Sequence, residues 1–195
     1  MSTVINGNLQ GVIWITGLSA AGKTTLAREV VSQFRRRGIV SLMLDGDALR
    51  AALQDPKVGH DRDSRLIHAY RVSNLAKMFS EQDMVVVVAT MSLFHQIQAW
   101  NRLHLPGYWE VLINADINQC RIRDCRNLYD RAREGISNNV VGIDLMPEFP
   151  LDPHMVVRND GDLSTIPSKA ENIVSSFLRR IGAGPIVLAG EVTDE

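Results

Sequence analysis

The chain has 195 residues, of which 45% are hydrophobic and 22% charged, and its formal net charge is −1. That length buries one sizeable core and predicts a single domain over residues 1–195. A near-neutral balance with no dense Lys/Arg block gives no electrostatic footprint for a nucleic-acid polymer or an anionic membrane, and no apolar run reaches membrane-spanning length.

The first β-rich run, Val12 to Thr16, leads directly into Gly17-Leu18-Ser19-Ala20-Ala21-Gly22-Lys23-Thr24-Thr25, and a helical pattern then runs from Lys23 to Arg37. The loop fits G-x-x-x-x-G-K-[ST] in its required place, after a strand and opening a helix. Glycine at both ends lets the backbone curl so that successive N–H groups point inward at phosphate oxygens. Lys23 is expected to reach the β- and γ-phosphates of ATP, and the Thr24 hydroxyl to ligate Mg²⁺. Arg35, Arg36 and Arg37 close the helix, where they complement its dipole.

A second strand, Val40 to Leu44, ends in Asp45-Gly46-Asp47, with Arg50 one turn further on. Carboxyl ends of parallel strands line the ligand crevice, so both carboxylates are expected beside the phosphate loop. Asp45 would hold Mg²⁺ and Asp47 would take the proton of an attacking hydroxyl. The plainer alternative is that Asp47 caps a helix beginning at Ala48. After a helical pattern from Ser64 to Glu81, the third strand, Met84 to Thr90, is apolar on both faces and lacks a terminal Asp, which leaves Asp45 and Asp47 as the acidic candidates. Helical and strand patterns then alternate: helix Phe94 to Leu105, strand Trp109 to Asn114, strand His154 to Arg158 and helix Ser168 to Ile181. This alternation predicts an α/β fold, a three-layer α/β/α sandwich with a parallel sheet, and the Gly17–Thr24 loop points to its P-loop NTPase, nucleotide-kinase-like kind.

Between the last two strands lies a basic segment with Arg121, Arg123, Arg126, Arg131 and Arg133. Such a run is either a solvated face or a lid whose arginines stabilise charge on a transferring phosphoryl group. His60 and His68 are candidate acceptor contacts by position, and Asn101-Arg102 a candidate site for a terminal anion. Cys120 and Cys125 lie five apart on a probable helix, without metal-ligand spacing or partners. Two reduced thiols, and a basic-then-apolar leader missing from the N-terminus, predict a cytoplasmic protein. Residues 1–10 and 182–195 are expected to be peripheral.

The loop, the Leu44-Asp45-Gly46-Asp47-x-x-Arg50 run, Arg123-Asp124 through Leu128-Tyr129 to Ala132, and Gly142-Ile143-Asp144 together resemble the adenylylsulfate kinase family over roughly residues 11 to 160. The resemblance implies ATP-dependent phosphorylation of the 3′-hydroxyl of a small nucleotide with a second acidic group on its 5′ side. It also implies that Arg50, Arg65 and Arg71 bind the acceptor, that Arg123 and Arg131 sit in a lid around 121–144 over ATP, and that a homodimer forms. Where adenylylsulfate kinases carry two Phe residues that sandwich the acceptor adenine, this chain has His60 and Val140. Met91-Ser92-Leu93-Phe94, Trp100-Asn101-Arg102 and Asn139-Val140-Val141 are similar to the cytidine diphosphoramidate kinase subgroup, which serves phosphoramidate decoration of bacterial capsular polysaccharide. That similarity adds Ser92, Phe94 and Val140 to the expected acceptor site. Two alternatives stay open: a true adenylylsulfate kinase making 3′-phosphoadenylylsulfate, and a non-catalytic nucleotide-binding module.

Overall fold

The computed structural model describes residues 9–56, 58–159 and 162–182. The expected peripheral segments therefore fall almost wholly outside the described residues. Five parallel strands, β1 (Gly11–Thr16), β2 (Ser41–Asp45), β3 (Val85–Ala89), β4 (Trp109–Asn114) and β5 (Met155–Arg158), form one sheet in the order β2-β3-β1-β4-β5. Each of the five lies within about two residues of its sequence expectation.

Strand alternation assigns the two faces. Ile13, Ile15, Val85 and Val87 pack with Leu26, Val30 and Phe34 of α1 (Lys23–Arg36) and with Ile173, Val174 and Phe177 of α7 (Ile166–Arg180). The intervening Val12, Trp14, Val86 and Val88 pack on the other face against Val72 and Ala76 of α3 (Arg62–Ser80). A period of two with apolar residues on both faces is what a sheet covered on both sides demands. The rings of Phe34 and Phe177 meet edge-to-face at 5.9 Å, which locks α1 to α7.

The remaining helices are α2 (Gly46–Leu53), α4 (His95–His104), α5 (Ile117–Arg123) and α6 (Leu128–Arg133), with a 3-10 turn at Leu163–Thr165. Two expectations are corrected here. Helix α2 starts at Gly46, not Ala48, and its cap is Asp45, whose carboxylate accepts from the N–H groups of Asp47 and Ala48. Asp47 therefore does not cap. Helix α5 ends at Arg123 because Asp124 turns out of helical geometry (φ −76°, ψ 83°), so buried Cys120 and exposed Cys125 do not share a helix.

At the amino end of β4, away from the phosphate loop, Glu110 is fully buried. It accepts from Arg102 at 2.6 Å and from the Tyr108 hydroxyl at 3.0 Å. Burial raises the carboxyl pKa of Glu110 and the phenol pKa of Tyr108. A buried carboxylate without a counter-charge is costly, and Arg102 supplies that charge. No helix among the described residues is long and apolar enough to cross a membrane.

Candidate active site

The sheet order reverses at β1, and the loop after this strand forms the floor of a cavity of about 1040 Å³. That position is the crevice where open parallel sheets bind ligands, and the volume exceeds what one drug-sized ligand needs. The lining includes six cationic side chains, Lys23, Arg50, Arg65, Arg123, Arg126 and Arg131, against three carboxylates, Asp45, Asp47 and Asp124. In a chain of net charge −1 this concentration of positive charge marks an anion site.

The floor is shaped for close backbone approach. Gly17 (φ +149°) and Gly22 (φ +94°) adopt backbone angles that L side chains rarely take. A Cβ at Gly17 would meet the Ile113 carbonyl at 2.8 Å, and one at Gly22 the Asn159 amide nitrogen at 2.4 Å. Helix α1 begins with no side-chain cap and no acidic residue in its first turn. Its N-terminal positive dipole end is thus left for an anionic ligand. Lys23 donates to the Leu18 carbonyl at 2.6 Å, curling over its own loop. Burial pulls its pKa down to about 8, against the opposing pull of Asp47 and Asp45.

A pH dependence follows. Phosphate oxygens beside the ammonium would raise its pKa in a complex, so if Lys23 binds them as expected, affinity for Mg-ATP should hold below about pH 8 and fall as pH rises above that value. Calorimetry in buffers of different ionisation enthalpy should show proton uptake on ATP binding at pH 9 and little at pH 7. Equal affinity at pH 7 and pH 9.5 would remove Lys23 from the phosphate contacts.

Asp45, the last residue of β2, serves two ends of the site. Its Oδ1 caps α2, and its Oδ2 accepts from the Thr24 hydroxyl at 2.7 Å. Asp47 stands two residues on, exposed, with Oδ2 3.2 Å from the Arg126 guanidinium across the cavity mouth. No cluster of three or more His, Cys, Asp or Glu suited to hold a metal ion occurs among the described residues. The Thr24–Asp45 pair instead suits a hard cation that brings most of its ligands with a nucleotide.

On the acceptor side, Arg50 donates to the carbonyls of Val58 (3.2 Å) and Gly59 (2.9 Å). Arg65 donates through Nε to the His60 carbonyl (2.6 Å) and through Nη2 to that of Asn139 (2.9 Å). Both guanidiniums thereby brace the loops that carry His60 and Val140 at the cavity wall. His68 is buried and donates from Nε2 to the Gly46 carbonyl at 2.9 Å. Burial and the neighbouring Arg50 lower the pKa of both His60 and His68, which keeps the imidazoles neutral. Ser92, Phe94 and Val140 also line the cavity.

Two expected acceptor contacts stand outside the cavity lining. Arg71 pairs with Asp55 at 2.7 Å, and Arg102 is drawn to Glu110 and to the Asp152 carbonyl at the other end of the sheet. Asn101 is fully buried and accepts from the Ser73 hydroxyl. In each case a neighbour that only folding brings close takes the polar group.

The segment expected to form a lid packs on the phosphate loop. The Tyr129 hydroxyl donates to the Ser19 carbonyl at 3.0 Å, and Asp124 accepts from the Tyr129 N–H at 3.1 Å. Arg123 donates from both terminal nitrogens to the Asn159 carbonyl, and Arg131 lines the cavity beside it. The lining residues that sequence reasoning passed over include Arg126, read as part of a solvated basic face, Cys125 and Asn159. For Asn159 the available signal was its place just past a strand's carboxyl end.

The family model described as adenylylsulphate kinase matches residues 10–158, the whole of the sheet and most of the cavity lining. The chain belongs to the adenylylsulfate kinase family. It is 33% identical over 166 residues to the cytidine diphosphoramidate kinase of Campylobacter jejuni, covering 85% of this chain and 95% of that one. It is 37% identical over 150 residues to the adenylyl-sulfate kinase of Paraburkholderia xenovorans, covering 76% and 83% respectively. The structure of the Mycobacterium tuberculosis adenylylsulfate kinase in complex with AMPPNP and APS superposes with a TM-score of 0.79 at 28% identity, covering 88% of this chain and 99% of that one. As a member of this family the chain is a kinase, an ATP-dependent phosphotransferase with the P-loop fold.

Proposed function

We propose that this kinase phosphorylates the 3′-hydroxyl of a small 5′-modified nucleotide, and that the acceptor is cytidine diphosphoramidate, as in capsule phosphoramidate synthesis. The observation that carries the choice of base is the pair His60 and Val140 at the cavity wall, in place of the two Phe residues that adenylylsulfate kinases carry. Without two aromatic faces, a purine forfeits stacking worth about 1–3 kcal/mol per base. A smaller pyrimidine loses less. The anion-binding arginines Arg50 and Arg65 remain at the same wall. The identity to an adenylyl-sulfate kinase at 37% supports the second reading, adenylylsulfate as acceptor.

In this scheme the loop N–H groups and Lys23 hold the ATP phosphates, while Arg50 and Arg65 orient the acceptor. The Thr24 hydroxyl and Asp45 would hold Mg²⁺, which would supply charge neutralisation at the ATP phosphates. The acceptor O3′ bonds to the γ-phosphorus as the bond to the β–γ bridging oxygen breaks. Asp47 takes the hydroxyl proton and ADP leaves. Positioning and electrostatics carry most of such a reaction, and lid closure by Arg123 and Arg131 would exclude water.

A coupled ADP-release assay with Mg-ATP tests the acceptor. We expect kcat/KM at least about tenfold higher for cytidine diphosphoramidate than for adenylylsulfate, the discrimination that one lost stacking contact supplies. A preference for adenylylsulfate would overturn the base assignment and make this a sulfate-activating enzyme.

A further inference from the structure

We propose that Asn159 is a positioning residue that fixes the phosphate loop and the lid arginine Arg123 relative to each other. Three observations meet at this one residue. Its side-chain amide donates to the Ala21 carbonyl at 2.8 Å from a buried position just beyond β5. The same amide nitrogen fills the space where a side chain at Gly22 would stand. Its main-chain carbonyl accepts from both Nη1 (3.2 Å) and Nη2 (3.3 Å) of Arg123, and its own N–H is tied to the Asn114 carbonyl at the end of β4.

The first bond has a consequence for the ligand. A trans peptide is planar, with its C=O and N–H pointing opposite ways. Drawing the Ala21 carbonyl toward Asn159 therefore turns the Gly22 N–H away from Asn159, to the phosphate side of the loop. The Ser19 carbonyl is held in the same manner by Tyr129, which directs the Ala20 N–H. A loop whose peptides are pinned from behind presents its donors without reorganising when the anion arrives, and preorganised donors are where electrostatic stabilisation is largest. The Asn159 carbonyl meanwhile parks Arg123 at the cavity edge, from which it needs only to exchange one acceptor for a phosphate oxygen. Because one residue performs both tasks and is anchored to the sheet through Asn114, loop and lid share a rigid reference.

The test uses the full chain and needs no acceptor: calorimetric titration with Mg-AMPPNP. Asn159→Ala deletes the amide, and Asn159→Asp keeps its shape while replacing the donor with a group that repels the Ala21 carbonyl. We expect both to weaken Mg-AMPPNP at least fivefold per folded molecule, Asp more than Ala, with titrations run at a temperature where melting curves show each variant folded. Affinity within twofold of the parent in Asn159→Asp would overturn the proposal. So would affinity lost only in proportion to lost folded protein.

Discussion

Lys23→Ala is expected to lower kcat by about 10²–10³-fold, the range found when one preorganised electrostatic donor is removed from a transition state. In the proposed scheme the Lys23 ammonium follows charge as it moves from the γ-phosphoryl toward the leaving oxygen. Among the described residues its hydrogen-bond partner is the Leu18 carbonyl of its own loop, a single bond to give up. The variant should not lose stability. A lysine whose folded pKa is lowered to about 8 carries a folding penalty. That penalty is fully present below this value, where the side chain is charged in both folded and unfolded states, and it fades as pH rises toward the unfolded value of about 10.4. Removing the ammonium lifts the penalty at neutral pH, so the melting temperature should hold or rise while turnover collapses. Steady-state kinetics and a melting curve on the same preparation separate the two. Near-normal turnover in Lys23→Ala would sink the whole phosphoryl-transfer scheme.

The floor of the site was legible because its chemistry is written in consecutive residues. Gly17 to Thr24 is a local pattern, and the all-apolar runs of β1 and β3 reveal a doubly covered sheet without any knowledge of partners. The acceptor side was less legible, since an arginine does not disclose its counter-ion. Arg65 and Arg71 lie two turns apart on α3, yet Arg65 turns into the cavity wall and Arg71 is taken by Asp55, a residue of the loop after α2. Arg102 answers a buried carboxylate eight residues ahead on β4, and that demand exists only once Glu110 is buried. Asn159 shows the converse. A polar residue with no motif around it joins two structures 36 and 138 residues away in sequence. Contacts of that separation are set by strand order, and strand order was the part of the topology that periodicity alone leaves open.

The division of labour between the two carboxylates after β2 gives the second large effect. Asp47→Asn should lower kcat by about 10²–10⁴-fold, the contribution of a positioned general base, with the acceptor KM changed by only a few-fold. Its stability cost should be small, because Asp47 neither caps α2 nor is buried. Its ion pair with Arg126 is exposed on both sides and worth at most about 1 kcal/mol. Asp45→Asn should behave differently. The carboxylate of Asp45 accepts from two α2 N–H groups and the Thr24 hydroxyl. Asn caps a helix about as well as Asp, so Asp45→Asn keeps the cap but replaces the acceptor of the Thr24 hydroxyl with an amide donor and removes the charge expected to ligate Mg²⁺. Asp45→Asn should therefore raise the Mg²⁺ concentration needed for half-maximal rate, which Asp47→Asn should leave in place. The two variants thus separate on metal dependence even where both are slow. Unchanged turnover in Asp47→Asn would move the base role to Asp45. That carboxylate already accepts from three donors, which leaves a single lone-pair site on Oδ2, beside the Thr24 hydroxyl, to receive the proton.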